Sequence, residues 1–203
     1  GRGRVPRFAL LGVEPDPAAP ARFEAYPRLE VGVLKLADGC PFSCTYCSVP
    51  RVYQGFARRP LDVALAELDL LVRLGARAIA FYDDALLFEA DSLLRPFLEE
   101  VLRRAPPVHF HAQNGLHARF LTAEIARDLV RAGFATFYLG FESASARFHA
   151  ETGGKLRPEE FEEAVAHLKS AGAAPSGRAP KSGLYPFSMR KSRAAGSSVR
   201  TMC

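Results

Sequence analysis

No stretch of this 203-residue chain is long and apolar enough to cross a bilayer. The opening Gly1-Arg-Gly-Arg-Val-Pro6 has none of the apolar core that a secretory signal needs, so a reducing cytoplasm is the expected compartment. The lack of Met at position 1 leaves a processed chain and a piece of a longer one both open. Acidic residues are missing from 173–203, which carry six basic ones (Arg178, Lys181, Arg190, Lys191, Arg193 and Arg200). The rest holds 21 basic and 22 acidic residues, a net of −1, so the overall +5 leaves no basic footprint on the folded body and no nucleic-acid partner is expected. Cysteine is scarce, with four residues, and a long chain without a secretory signal does not suit a disulfide framework.

Three of those cysteines nevertheless stand together, as Cys40-x3-Cys44-x2-Cys47. Pro41 keeps the segment from running as regular helix, so it must wrap as a loop. Thiolates this close can face one inorganic centre, and iron–sulfur clusters are commonly held by cysteine. Three ligands on a four-iron cube leave one iron open to a small molecule, as an open position distinguishes catalytic from structural zinc. Phe42 and Tyr46 alternate with the thiols and are placed to form an apolar shell. The competing readings are a zinc knuckle, which wants a fourth ligand nearby although Cys203 sits alone at the far end, and disulfides.

Along the chain, residues 1–28 are rich in Pro, Ala and Arg and read as an irregular lead-in. Leu29–Leu36 reads as a buried strand delivering the chain to the cysteine loop. Asp62 is a plausible cap for a helix carrying Leu65, Leu68, Leu71 and Val72 and stopping at Gly75. Ala78–Tyr82 is a second strand, followed by Asp83-Asp84, and a helix runs from about 91 to 104. Val108–Ala112 is a third strand, ending at Gln113-Asn114-Gly115, and Thr122 caps a helix that ends at Gly133. Thr136–Phe141 is a fourth strand, ending at Glu142-Ser143, and Pro158-Glu159-Glu160 opens a helix that ends at Gly172.

Strand starts about 30 residues apart match βαβ units. The expected fold is α/β, a partial (βα) barrel of about four parallel units over 29–172. Parallel barrels carry their chemistry at the carboxyl ends of the strands. The cysteine loop, Asp83-Asp84, Gln113-Asn114 and Glu142-Ser143 all fall there, on one rim. Beyond Gly172 the pattern stops. Leu184–Phe187 is short and carries a proline, so 173–203 reads as a disordered basic tail, with a frameshift or truncation in the gene as a hypothesis.

The stretch from Cys40 to Gly172 resembles the first two-thirds of a radical S-adenosylmethionine (SAM) domain, particularly the branch often fused to a cobalamin-binding domain. The likeness rests on the cysteine motif, with its aromatic Tyr46 before the third cysteine, and on Phe81–Leu87, His111–His117, Leu139–Ser143 and Thr152–Lys155. It implies a 4Fe-4S cluster on Cys40, Cys44 and Cys47 and SAM chelating the open iron. The expected activity is reductive cleavage of SAM to a 5′-deoxyadenosyl radical, which abstracts hydrogen from a substrate the sequence does not identify. Reduced flavodoxin or ferredoxin is the implied electron donor.

By position, Asp83 and Asp84 replace the family's Gly-Gly-Glu, which receives the methionine amino group. Glu142, with Ser143, falls where ribose is bound. Asn114 is either a ribose contact or part of an Asn-Gly turn, the turn being preferred. Tyr46 belongs to the cofactor-binding loop, and Arg119 and Lys155 are candidates for SAM's carboxylate. Cobalamin is expected only in fuller relatives, because 39 residues before Cys40 cannot hold its domain. The fifth and sixth strands are missing, which leaves one side of the barrel open to the water that radicals must avoid. Two rivals stand beside this reading: a zinc hydrolase using His109 and His111 on one face of the third strand, and a non-catalytic iron–sulfur or zinc-binding fragment.

Overall fold

The structure, a computed structural model, describes residues 19–53, 55–143 and 145–173. The start of the lead-in, most of the tail, Leu184–Phe187 and Cys203 lie outside the described residues. Four parallel strands form one sheet: β1 (Val31–Leu34), β4 (Ala78–Phe81), β5 (His109–Leu116) and β6 (Phe134–Leu139), in that spatial order. The register runs Val31 beside Ala78 and Leu34 beside Phe81, then Ala78 beside His109 and Phe81 beside Ala112. β5 and β6 pair with two register shifts, from Phe110 beside Phe134 to Leu116 beside Leu139. A separate antiparallel pair, β2 (Ala37–Gly39) and β3 (Phe56–Arg58), joins the ends of the cysteine loop.

Strand order follows chain order within the sheet, as successive βα units require. α2 (Leu61–Arg73), α3 (Leu94–Arg104) and α4 (Ala123–Arg131) are the crossovers, and α6 (Pro158–Ser170) follows β6. Each buries an apolar stripe: Leu65, Leu68 and Leu71 on α2; Phe97, Leu98 and Val101 on α3; Ile125 and Leu129 on α4. All four residues of β4 are buried, as in a parallel strand covered on both faces. Phe81 stacks on Phe134 at 5.3 Å between ring centres and meets the edge of Phe97 at 5.7 Å, while Phe110 stacks on Phe134 at 5.4 Å. Burying each such ring contributes about 1.5–3 kcal/mol. At the sheet's edges the cover thins: Val31 and Val33 of β1 are exposed, and most of β6 is half-buried. The sheet is therefore an open arc of a barrel.

Several local expectations shift. α2 starts at Leu61 with Pro60 at its cap, so Asp62 is not the cap; it lies in the first turn, where a carboxylate complements the helix dipole. Thr122 does cap α4, its hydroxyl accepting from the Ile125 N–H. The preferred Asn114-Gly115 turn is also corrected. β5 runs on to Leu116, because pairing with β6 resumes there. A short helix α5 (Ala146–Glu151) precedes α6 and was not anticipated.

A buried ion pair fastens the end of the lead-in to this frame. Arg59 donates to both Glu67 carboxylate oxygens at 2.7 Å, and Glu67 also accepts from the Ala21 N–H. Arg59 further donates to the carbonyls of Lys35 and Ala19. Removing one partner strands the other charge in the interior. Glu67→Ala is expected to cost about 3–5 kcal/mol in a urea denaturation curve; a loss below about 1 kcal/mol would mean that water reaches the guanidinium.

Candidate functional site

The cysteine loop leaves the sheet through a narrow neck. Gly39 closes the β2–β3 pair at φ 77°, and a Cβ there would sit 1.9 Å from the Gly55 carbonyl oxygen, so only glycine fits. Below the neck, Lys35 pairs with Asp38 and donates to the Tyr53 hydroxyl. Beyond it, the Cys47 N–H bonds to the Cys44 carbonyl, and a one-turn helix α1 (Val49–Val52) follows. The Thr45 N–H reaches the Thr152 carbonyl, so the far side of the loop rests on the end of α5.

All three cysteines are free and line one cavity of about 280 Å³. Phe42, Tyr46 and Val49 add its apolar wall from the same loop. The strand ends supply the rest: Asp84 after β4, Asn114 and Gly115 from β5 with His117 just beyond, and Gly140 and Glu142 after β6. Lys155 enters from the turn before α6, its Nζ 2.8 Å from Glu142 Oε1. Gly140 is tight against this pair, since a Cβ there would meet the Lys155 Nζ at 3.3 Å.

Burial pushes the Cys40 thiol up, the Phe42 N–H pulls it down, and the neighbouring Cys44 and Cys47 add to the rise while Lys155 opposes it. Burial, then the negative charge of Glu142 and Cys44, raises the Tyr46 phenol, which stays protonated. Burial alone would raise Glu142, but the Lys155 ammonium more than offsets it and holds the carboxyl below its usual range. Glu142 Oε2 and His117 Nδ1, two polar atoms of residues on the cavity wall, are buried without partners.

The sequence candidates are sorted by this geometry. Cys40, Cys44, Cys47, Tyr46, Asp84, Asn114 and Glu142 share the cavity. Asn114 also donates to the Tyr82 carbonyl, tying β5 to the end of β4. Ser143 is not on the cavity wall; its hydroxyl accepts from the Ser145 N–H and its carbonyl contacts His149 Nε2. Arg119 is occupied with Glu160 and the Gly154 carbonyl, so it braces the turn that carries Lys155. His111 is bonded to Thr136, and no three His, Cys, Asp or Glu side chains among the described residues sit as closely as a single metal ion needs. His117 was legible only as part of a motif; its place on the wall depends on how far β5 runs.

Asp83 turns inward. Its Oδ1 accepts from the N–H groups of Leu36 and Ala37, joining the end of β4 to the start of the cysteine loop, and Oδ2 is buried without a partner. Burial pushes its carboxyl from 3.8 up to about 7, against the pull of those two N–H bonds and of Lys35. Between these values the folded state holds a proton that the unfolded chain has lost. Stability therefore falls as pH rises from about 4 to about 7 and levels off above. Asp83→Asn is expected to flatten this slope in denaturation curves taken across the window, whereas an unchanged slope would place the titration elsewhere.

Fold and rim together define an α/β domain that gathers a thiol-lined cavity at the carboxyl ends of parallel strands. Residues 34–177 match the Radical SAM superfamily, and the chain belongs to that family. Among curated relatives, the ribosomal protein uS12 methylthiotransferase RimO of Chlorobium phaeovibrioides is 34% identical over 79 residues, covering 38% of this chain and 18% of that one. RimO of Geobacter sulfurreducens is 39% identical over 71 residues, covering 34% and 16%. This chain thus spans less than a fifth of these relatives. Among solved structures, the radical SAM methyltransferase TsrM of Kitasatospora setae, with cobalamin and a [4Fe-4S] cluster bound, superposes with a TM-score of 0.63 at 18% identity, covering 70% of this chain and 27% of that one. The cobalamin-dependent SAM radical enzyme OxsB superposes at 0.60, with 18% identity and coverage of 69% and 22%.

Proposed function

We propose that residues 29–172 bind a 4Fe-4S cluster and SAM and carry out the radical-generating half of a radical SAM reaction. The observation that carries this reading is the convergence of three free thiols, an ion pair and two orphaned polar atoms on one cavity. Cys40, Cys44 and Cys47 would hold three irons. A cluster held there would provide the single electron needed for reductive cleavage of SAM to methionine and a 5′-deoxyadenosyl radical.

The chain's own part is binding, orientation and exclusion of water. The Lys155 ammonium is set to pair with SAM's carboxylate and Asp84 to accept from its ammonium, opposite charges in a half-buried site. Glu142 Oε2 is free to accept from ribose hydroxyls because Lys155 occupies Oε1. Tyr46 and Phe42 shield the cysteine loop with aromatic surface. Asp83 and Ser143 support the rim from behind. Reduced flavodoxin or ferredoxin is the proposed donor and the cytoplasm the proposed compartment; no helix among the described residues is long and apolar enough to cross a membrane. Cobalamin, bound by TsrM and OxsB, is proposed only for fuller relatives of this chain.

Anaerobic reconstitution with iron and sulfide, then dithionite and SAM, tests the reading. The expected product is 5′-deoxyadenosine, detected by chromatography. A cluster-loaded protein that releases none would fit the non-catalytic alternative instead.

A further inference from the structure

On the cofactor reading above, we infer that His117 is a further cofactor contact, its Nδ1 accepting a hydrogen bond from an uncharged donor on the nucleoside of bound SAM. The ring lines the cavity and is 6% exposed, and its Nδ1 is buried with no donor. An acceptor buried in this way is costly unless something fills it. The Asp84 backbone carbonyl lies against the ring; with Nδ1 unpartnered, Nε2 is the nitrogen that faces it, which leaves the lone pair on Nδ1.

The ring is also held in place. It stacks on Phe42 at 4.9 Å and 29° and on Phe120 at 6.1 Å and 27°, so the plane of the ring is fixed against the cavity wall. Burial, then the charge of Lys155 with a smaller push from Arg119, lower its pKa to about 4 against the opposing pull of Glu142 and the Asp84 carbonyl, which favours the neutral imidazole. Those cations also disfavour an ammonium at Nδ1. A hydroxyl or amine of the nucleoside remains, while the methionine end belongs with Lys155.

The two ring nitrogens can be separated by substitution. In His117→Asn the side-chain oxygen can occupy the Nδ1 position but nothing reaches the Asp84 carbonyl. In His117→Gln the amide can reach that carbonyl but no acceptor stands at Nδ1. With cluster-reconstituted protein and SAM in a calorimeter, the Gln variant is expected to bind about tenfold more weakly at near-native thermal stability. The Asn variant is expected to keep its affinity and lose stability. 5′-Methylthioadenosine, which carries the nucleoside alone, should show the same ratio between Gln variant and native protein. Affinity that follows stability across both variants would make His117 purely structural and overturn the inference. A native ratio for 5′-methylthioadenosine would overturn the nucleoside assignment. Native protein that takes up a cluster but binds no SAM would defeat the cofactor reading itself, an outcome distinct from either.

Discussion

Cys44→Ala is expected to leave the reconstituted protein nearly colourless, with bound iron reduced to a small fraction of the native content. Cys44 is the most buried of the three cysteines, and its backbone anchors the loop in both directions, through Cys47 N–H on one side and contact with Gly153 on the other. Two thiolates cannot replace three on a cube, and no other Cys lies within the described residues to take its place. Cys203→Ala provides the control. Cys203 stands 156 positions beyond Cys47 in a stretch without barrel pattern, so its loss is expected to change iron content little. Equal iron in native protein and the Cys44 variant would remove Cys44 from the ligand set.

The second large effect is expected from a residue that touches no metal. In Gly39→Ala, a methyl group would occupy space 1.9 Å from the Gly55 carbonyl oxygen, and the residue would be held at φ 77°. The backbone conformation alone costs about 1–3 kcal/mol, and the clash forces the neck open. Because β2 and β3 are only three residues each, little pairing opposes that opening. The cysteine loop should then lose its fixed base, with cluster uptake falling several-fold and the melting temperature dropping. Gly55→Ala is the comparison: also at positive φ, at 115°, it meets nothing within 4 Å, so strain is present without collision. If the two variants took up iron equally well, the neck would not be what holds the loop.

The contrast between Cys44 and Gly39 separates what the sequence alone makes legible from what only the fold reveals. The cysteine trio was legible because its chemistry depends on spacing along a loop, and the parallel units because apolar runs starting at Ala78, Val108 and Thr136 recur about every 30 residues. The neck was not legible, since Ala37-Asp-Gly39 and Phe56-Ala-Arg58 are too short to carry a period and pair only because the loop closes. Nor was the fate of Asp83 and Asp84. Adjacent side chains leave a strand end in opposite directions, and only the path of the backbone sends Asp83 to the Leu36 and Ala37 N–H groups and Asp84 to the cavity. Asn114-Gly115 has the composition of a turn, and pairing with β6 overrides it. Lys155 was visible as a charge near the rim, but its pairing with Glu142 joins residues 13 apart in the chain across a turn and α5.

The central claim is that three thiolates leave one iron of a cluster open and that SAM takes that position. Electron–nuclear double resonance on the reduced, reconstituted protein, with SAM carrying oxygen-17 in its carboxylate, measures this directly. A hyperfine coupling from that oxygen to the cluster, absent from the Cys44→Ala variant, is the predicted result. A cluster spectrum unmoved by SAM, or a single zinc ion found in place of iron, would contradict the account.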